Sequence, residues 1–232
     1  MVLTEYTVKS DKLKACHDIV MLSDFHNMPK AMEESLEIVR PLRPEAIFVV
    51  GDLVDRHRKK YDLALDFLQS YVDIAPTFFS YGNHECKYAV ISEDEYKSTG
   101  ACVLRNDFTK FQFKNGEEFC VGGHDPNALP FWMDDFEKQQ SFKILMCHHP
   151  ENYIDRLQTK NVDLILSGHA HGGQFQFFGR GVLAPGQGLF PKYTKGMFMD
   201  KFIVGTGISN TAGIIPRLFN PTEVILIHLK EM

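Results

Sequence analysis

Apolar stretches that end directly in clusters of aspartate, histidine and asparagine most constrain the fold of this chain. The apolar stretches predict buried strands at 17–22, 46–50, 77–80, 143–147 and 162–166. The polar clusters that follow are Ser23-Asp24-Phe25-His26, Gly51-Asp52-Leu53-Val54-Asp55, Gly82-Asn83-His84-Glu85, His148-His149-Pro150 and Gly168-His169-Ala170-His171. Open α/β sheets place their ligands at the carboxyl ends of their strands. The pattern therefore predicts an α/β fold with its functional residues at one edge.

The segments between these strands support the same fold class. Apolar residues at helical spacing predict helices over 30–40 and 61–72, with Pro41 expected to end the first. A capping box of Ser92 and Glu95 begins a predicted helix over 92–99, and another is expected around 152–158. Further short strands are predicted at 103–104, 111–113, 118–121, 201–204 and 224–229, with a hairpin turn at Asn115-Gly116. Because no linker or repeat interrupts the chain, we predict a single domain over 1–232.

Charge and cysteine usage exclude several classes of protein. The net charge of −5 argues against a stable nucleic-acid partner, which requires a basic face, although it does not exclude a nuclease. The five cysteines form no Cys-x-x-Cys motif, so neither a disulfide framework nor a structural zinc site is expected. Met1 to Asp11 lacks the apolar core of a signal peptide, and no apolar run approaches the roughly 18 residues of a membrane helix. These features predict a cytoplasmic protein without a transmembrane segment, and no motif indicates a protein partner or an oligomeric state.

The strand-end clusters contain the ligands of a metal centre. Carboxylate, imidazole and amide groups together suit divalent manganese, iron, zinc or nickel. Two ions about 3.5–4 Å apart need one bridging carboxylate and roughly three further ligands each. The inventory that meets this need is Asp24, His26, Asp52, Asn83, His84, His148, His169 and His171.

The order of these motifs resembles the calcineurin-like metallophosphoesterases. Asp-x-His, Gly-Asp-x-x-Asp, Gly-Asn-His-Glu, a strand ending in His, and Gly-His-x-His succeed one another from about residue 17 onward. Gly-His-x-His-Gly-Gly-Gln and the tail Pro216-Arg217-x-Phe219-Asn220-Pro221-x-Glu223 are more narrowly similar to the bacterial branch of YaeI- and YkuE-like phosphodiesterases. The resemblance implies a four-layer sandwich of two packed mixed β-sheets flanked by helices.

The resemblance also implies roles for individual residues. His84 would be the histidine near the leaving group and not a metal ligand, and Asp52 would bridge both metals. The implied activity is that of a dinuclear phosphoesterase, more narrowly a phosphodiesterase, which attacks a small phosphoester substrate with a metal-activated hydroxide. The implied ligands are Asp24, His26 and His171 for the first metal, and Asn83, His148 and His169 for the second.

Two alternatives remain open at this stage. A pyrophosphohydrolase acting on a nucleotide-linked lipid precursor would need an apolar surface beside the metals. The segment 175–198 offers one in Phe175, Phe177, Phe178, Leu183, Leu189, Phe190 and Phe198, although core packing is the default for such residues. A metal-free scaffold for protein binding is the other alternative, but it should have lost ligand positions, and none is lost here.

Several weaker signals accompany the motifs. Asp55 either orients a ligand histidine or caps the next helix, and the two interpretations are equally favoured. His149 is expected to be hydrogen-bonded or to face solvent, because adjacent side chains at a strand end point in opposite directions. His124 is expected to be structural. Cys86 and Cys147 are expected to pack in the interior.

Two groups of basic residues could also approach the site. The run Arg56 to Lys60 is interpreted first as a solvated loop and second as a grip for substrate phosphate. Arg217 belongs to the tail motif Pro216 to Glu223 and is also expected to approach the site.

Overall fold

Two mixed six-stranded sheets lie at the centre of the part of the protein that the computed structural model describes. That part comprises residues 1–126, 131–174, 176–177, 180–181, 183–184, 187–189, 191–210 and 217–232. The first sheet contains β1 (Val2–Ser10), β2 (His17–Leu22), β3 (Ala46–Val50), β4 (Thr77–Ser80), β5 (Cys102–Leu104) and β16 (Glu223–Glu231). The second contains β6 (Asp107–Gln112), β7 (Glu118–His124), β8 (Phe142–Cys147), β9 (Leu164–Ser167), β14 (Gly196–Phe198) and β15 (Phe202–Val204).

The helices are short. They are α1 (Pro29–Leu42), α2 (Asp62–Val72), α3 (Asn83–Tyr88), α4 (Glu93–Ser98) and α5 (Met133–Glu137), with a π-helical turn at Tyr153–Leu157 and a 3-10 turn at His171–Gly173. Small antiparallel strand pairs are formed by β10 (Gln176–Phe177) with β11 (Arg180–Gly181), and by β12 (Leu183–Ala184) with β13 (Gly188–Leu189). None of the helices in the described ranges is long and apolar enough to cross a membrane.

The strand order brings the motif-bearing strand ends together. The first sheet has the order β1-β16-β2-β3-β4-β5, in which β2 to β5 run parallel and β16 runs antiparallel to β2. The second has the order β14-β15-β9-β8-β7-β6, with β15, β9, β8 and β7 parallel. Each of the five motifs therefore leaves the carboxyl end of a parallel strand, where open sheets bind ligands.

Alternating side chains of the strands fill three apolar layers. Met21 of β2, Phe48 of β3 and Ile144 of β8 meet between the two sheets. The opposite face of the first sheet packs on α1 and α2, and the opposite face of the second packs on α5 and the π-helical turn. Because both faces of each sheet are buried, the strands carry continuous apolar runs. The predicted four-layer sandwich of two mixed sheets flanked by helices is confirmed.

Some local predictions were wrong. Pro41 does not end α1, which continues to Leu42 and stops at Arg43, a residue in the left-handed conformation with φ 47°. A proline so near the end of a helix removes only one backbone hydrogen bond, so the helix tolerates it. The sequence analysis also missed β1, which pairs along its whole length with β16, and the short helix α3 that carries His84.

Candidate metal centre

The strand-end loops are joined by backbone hydrogen bonds. The Asp24 amide donates to the Gly51 carbonyl at 3.1 Å, and the His26 amide donates to the Asp52 carbonyl at 3.1 Å. In the second sheet, the Gly168 amide donates to the His148 carbonyl at 3.1 Å. The loops after β2 and β3 are therefore fixed relative to each other, and so are the loops after β8 and β9, before any side chain is considered.

The backbone at these loops adopts a conformation that ordinary residues rarely use. Positive φ values occur at Asp24 (58°), His26 (50°), Asp52 (55°), His169 (64°) and His171 (45°). Such conformations cost on the order of 1 kcal/mol or more each and cluster at functional sites. Five of the seven predicted metal ligands are thus held by strained backbone, which turns their side chains inward from the ends of the strands.

Gly51 allows three strand ends to approach closely. It has φ 73°, and a Cβ atom at this position would lie 2.6 Å from Gly82 Cα and 2.7 Å from His148 Nδ1. No side chain fits at such distances, so glycine is required directly before Asp52.

The first predicted ligand set lies together in the interior. Metal-binding atoms of Asp24, His26 and His171 lie within 4.8 Å of one another. Asp24 Oδ1 is 3.5 Å from His171 Nε2 and 3.8 Å from His26 Nε2. Both ring nitrogens of His26 are buried and have no hydrogen-bond partner among the described residues. A buried imidazole without partners is costly unless a ligand such as a metal ion satisfies it.

Asp52 lies between this set and the second sheet. Its Oδ2 is 3.2 Å from His148 Nε2 and 3.7 Å from His26 Nε2. Metal-binding atoms of Asp24, Asp52 and His148 also lie within 4.8 Å of one another. Asp52 therefore contacts histidines of both predicted ligand sets, as a bridging carboxylate must.

His148 is oriented by the backbone of the first sheet. Its Nδ1 donates to the Val50 carbonyl at 2.8 Å, and the residue is fully buried. This bond fixes the tautomer and leaves Nε2, which has no hydrogen-bond partner among the described residues, directed at Asp52. Metal-binding histidines commonly donate their second nitrogen to a carbonyl in this way.

The structure places His149, which was predicted to lie outside the second ligand set, against that set. His148 and His169 are grouped with His149, with metal-binding atoms within 4.8 Å of one another. His149 Nε2 lies 3.0 Å from Asn83 Oδ1, and the His149 ring stacks on His169 at 4.0 Å between centroids. His149 is hydrogen-bonded, as expected, but its partner is the side chain of Asn83, itself a predicted ligand. The adjacency of two histidines at a strand end was the only sequence signal for it.

His84 lies beside the cluster at the start of α3. Its amide donates to Asp52 Oδ1 at 2.9 Å, and its ring Nδ1 donates to the Val54 carbonyl at 3.1 Å. Its Nε2 is 4.0 Å from Asp52 Oδ2. With Nδ1 engaged by the backbone, Nε2 is the atom available to a substrate.

The electrostatics favour cations at this site. Burial alone raises the pKa of a carboxyl, but neighbouring histidines outweigh it and hold the pKa of Asp24 and of Asp52 below the usual range. Burial opposes protonation of His148, yet Asp52 beside it raises the pKa of His148 to about 10. Without a metal, the buried carboxylates thus retain a proton on a neighbouring imidazole. A divalent cation held by Asp24 and Asp52 would neutralise the same carboxylates and take the place of that proton.

The histidines of the Gly-His-x-His loop are already neutral. Burial lowers the pKa of His169 to about 3 and that of His171 to about 4. A neutral imidazole has the lone pair that a metal requires. The residues present therefore fit a pair of divalent cations, both in their donor atoms and in their charge.

Glu85 is a structural residue that the sequence analysis quoted without giving it a role. Its buried carboxylate accepts backbone N–H bonds from Asp52 and Gly82, each at 2.8 Å, and from Leu53 at 2.8 Å and Val54 at 3.0 Å. The sequence signal was its position at the third residue of a helix, where glutamate completes a capping box. Glu85 ties the Gly-Asp-x-x-Asp loop to the Gly-Asn-His-Glu loop.

We expect Glu85→Ala to lower the free energy of unfolding by about 3 kcal/mol or more, because four backbone donors lose a common acceptor. Urea unfolding followed by circular dichroism measures the effect. Glu93→Ala, which removes a carboxylate from the exposed α4, is the matched control and should change stability by less than about 1 kcal/mol. A Glu85→Ala protein as stable as the control would contradict this role.

Arg217 approaches the site through backbone carbonyls. Its Nη2 donates to the His171 carbonyl at 2.9 Å and to the Thr206 carbonyl, and its Nη1 donates to the Ser209 carbonyl at 3.1 Å. Asn220 Nδ2 donates to the same His171 carbonyl at 2.6 Å. The tail that contains both residues therefore clamps the loop of His171 and does not line the cavity above the cluster.

The remaining predicted residues have these positions. Asp55 Oδ1 accepts from the amides of His57 (2.7 Å) and Arg58 (3.2 Å), and its Oδ2 lies 3.8 Å from His26 Nδ1. It thus caps a turn well before α2 and also faces a predicted ligand. Three further residues, Cys86, Cys147 and His124, belong to none of the candidate metal groups found in the described part of the chain. Cys147 and His124 are fully buried.

The apolar segment 175–198 is described only in part. Leu189 is exposed and does not line the cavity above the cluster, and Phe198 packs on Tyr193 with ring centroids 4.8 Å apart. Phe175, Phe178 and Phe190, and the side chains of Phe177 and Leu183, lie outside the described residues.

A cavity of about 400 Å³ opens above the cluster, and we refer to it as the metal cavity. His26, Asp52, Asn83, His84, His169 and His171 line it, while Asp24 and His148 lie buried beneath. All eight predicted site residues are thus brought to one edge of the two sheets.

Comparisons with known proteins identify the family of the chain. Residues 17–173 match the family described as calcineurin-like phosphoesterase. The chain is 27% identical over 247 residues to an uncharacterized metallophosphoesterase of Aquifex aeolicus, covering 97% of this chain and 90% of that protein. It is 28% identical over 252 residues to the uncharacterized metallophosphoesterase YkuE of Bacillus subtilis, covering 98% and 85%. The Caenorhabditis elegans relative F40B5.2 is 28% identical over 239 residues, and this chain covers only 48% of its length.

Solved structures share the fold. The protein TT1561 of Thermus thermophilus has a TM-score of 0.53 and 14% identity, and the match covers 83% of this chain and 90% of that chain. A dimetal phosphatase from Danio rerio has a TM-score of 0.50 and 13% identity, and the match covers 84% and 88%.

Proposed function

This chain belongs to the calcineurin-like phosphoesterase family, and we propose that it is a dinuclear metal-dependent phosphodiesterase. The observation that carries the proposal is the pair of buried carboxylates, Asp24 and Asp52, surrounded by histidines from both sheets. One ion would leave part of this donor set unused, whereas two ions joined by a carboxylate would use all of it.

The proposed ligand sets are those that the family resemblance implies, and the contacts of Asp24 with His171 and of Asp52 with His148 support them. The first ion would be held by residues of the loops after β2 and β9, the second by residues of the loops after β4, β8 and β9, and Asp52 would join them. The mixture of oxygen and nitrogen donors suits manganese, iron, zinc or nickel. The proposed sets are Asp24, His26 and His171 for one ion, and Asn83, His148 and His169 for the other.

Two bound cations supply an activated water nucleophile and neutralise charge on the phosphate oxygens. The chain supplies the orientation and the proton. Val54 holds the His84 ring so that Nε2 faces the metal cavity, on the same side as Asp52. From there a protonated His84 donates to the departing oxygen of the ester.

The metal cavity favours a polar substrate over a lipid-linked one. Apart from Tyr88, the side chains that line it among the described residues are polar or charged. These side chains support a phosphodiesterase in preference to a pyrophosphohydrolase on a nucleotide-linked lipid precursor. Each predicted ligand position is present at the site, which argues against a metal-free scaffold.

We expect the Mn²⁺-loaded protein to hydrolyse bis(p-nitrophenyl) phosphate with a kcat/KM about tenfold above that for p-nitrophenyl phosphate. Chelation with EDTA should abolish both activities, and added Mn²⁺ should restore them. Release of p-nitrophenolate measures both reactions. A higher kcat/KM for the monoester would indicate a phosphomonoesterase instead of a phosphodiesterase. If neither ester is hydrolysed with manganese, iron, zinc or nickel, the proposal that the protein is a phosphoesterase would be contradicted.

A further inference from the structure

The mouth of the metal cavity is basic, although the chain as a whole carries a net charge of −5. Arg56, His57 and Lys87 line the cavity together with the predicted ligands. Among the described residues of the loop after Asp55, Arg58 forms an ion pair, with its Nη1 3.8 Å from Asp55 Oδ2. Arg56 and Lys87 are exposed and form no ion pair with a described carboxylate, so their charges are available to a ligand.

The loop on one side of the mouth is held against the metal cluster. Asp55 accepts the amide of His57 at 2.7 Å and lies 3.8 Å from His26. Arg56 Nε donates to His57 Nε2 at 2.6 Å, and this bond orients the guanidinium beside the imidazole. The position of Arg56 is thus linked through Asp55 to a predicted metal ligand.

Another part of the mouth is α3, which begins with Asn83 and whose His84 ring donates to the Val54 carbonyl of the same loop at 3.1 Å. A row of aromatic rings leads outward from the cluster: His26 and His84 have centroids 4.6 Å apart, and His84 and Tyr88 have centroids 5.3 Å apart. Lys87 lies three residues after His84, on the adjoining face of α3, with its Nζ 5.6 Å from the Tyr88 ring centroid. The cation therefore lies farther from the metals than His84 does, on the same wall.

We propose that Arg56 and Lys87 bind a second phosphate group of the substrate, on the leaving-group side of the scissile phosphate. The inference rests on the proposed function for the place of the scissile phosphate above the two metals. His84 would face the leaving group, and Lys87 continues the same helix outward, so the part of the substrate that departs would lie beside Lys87 and Arg56. A guanidinium and an ammonium that line one mouth suit a phosphate better than a neutral group.

Calorimetric titration of the Mn²⁺-loaded protein tests the proposal without requiring turnover. The probes are thymidine 3′,5′-bisphosphate and thymidine 5′-monophosphate, which differ by one phosphate. We expect the wild-type protein to bind the bisphosphate at least about tenfold more tightly. In the double variant Arg56→Ala, Lys87→Ala this preference should fall below about threefold, with the affinity for the monophosphate unchanged.

A control double variant, Lys59→Ala with Lys60→Ala, removes the same total charge from the loop that contains Arg56, at positions outside the cavity lining. It should keep the preference for the bisphosphate, and an equal loss in this control would show a diffuse charge effect and overturn the proposal. Equal affinities of the wild-type protein for the two probes would also overturn it. Tight, Arg56- and Lys87-dependent binding of the bisphosphate by a protein that hydrolyses no phosphodiester would instead contradict the proposed function alone.

A second experiment distinguishes a phosphate that belongs to a lipid headgroup from one that belongs to a soluble ester. Co-sedimentation with phosphatidic acid vesicles that depends on Arg56 and Lys87 would assign the second phosphate to a lipid headgroup. Binding of the soluble bisphosphate without co-sedimentation would assign it to a soluble ester.

Discussion

Asp52→Asn should lose both metal ions together and lower kcat by about 10³-fold or more, because Asp52 contacts histidines of both ligand sets. Asparagine has the same size but lacks the charge that attracts two cations, and its NH₂ group cannot coordinate. Plasma mass spectrometry of the desalted protein gives the metal content, and aryl phosphodiester hydrolysis gives kcat.

The variant should remain folded. Asparagine has the size of aspartate, and its Oδ1 can still accept the His84 amide that Asp52 accepts. Without the Asp52 charge that raises its pKa, His148 can become neutral and is not left as a buried, unpaired cation. Asp62→Asn makes the same chemical change at an exposed position at the start of α2 and should keep metal and activity. Loss of one ion with full retention of the other would show that Asp52 is a terminal ligand and not a bridge.

His84→Ala should keep about two metal ions per chain and lose turnover by about 10²- to 10⁴-fold, the range that general acid catalysis contributes. The reason is that His84 contacts Asp52 through its amide and Val54 through its ring, and neither contact removes a metal ligand when the side chain is cut back. Metal analysis and kcat for a phosphodiester are measured on the same preparation.

The pH dependence separates the proton-donating role from a structural one. Burial lowers the pKa of His84 below its ordinary value. Because the ring donates only when protonated, its contribution is present below this pKa and is lost as the pH rises through it. The ratio of wild-type to His84→Ala kcat should therefore fall with increasing pH. A pH-independent ratio, or loss of metal in the variant, would contradict the role of His84 as a proton donor. The control is His228→Ala, which lies in β16 far from the metal cavity and should behave as wild type.

The functional edge could be predicted because it depends on local signals. Each apolar strand is followed directly by its motif, without an intervening helix, so the sequence itself shows that each predicted ligand lies at the end of a strand. Asp24, Asp52 and His148 each follow a run whose side chains fill two layers of the core, and such runs identify buried parallel strands.

What the sequence analysis missed depends on partners distant in the chain. β1 carries mostly exposed, partly polar side chains and becomes a strand by pairing with β16, more than 200 residues away. Glu85 acquires its role from amide donors of the neighbouring strand-end loop, which periodicity does not show. His149 enters the cluster because α3 brings Asn83 to it from the first sheet. All three are contacts between segments far apart in the chain, and the contact of His149 with Asn83 also joins loops of different sheets, so only the assembled fold defines them.

The central claim is that one carboxylate joins two metal ions at the edge of both sheets. Electron paramagnetic resonance of the protein loaded with about two equivalents of Mn²⁺ tests it most directly, because bridged ions about 3.5–4 Å apart couple magnetically. We expect the spectrum of a coupled Mn²⁺ pair in the wild-type protein and its disappearance in Asp52→Asn. The spectrum of isolated Mn²⁺ in the fully loaded wild-type protein would contradict it.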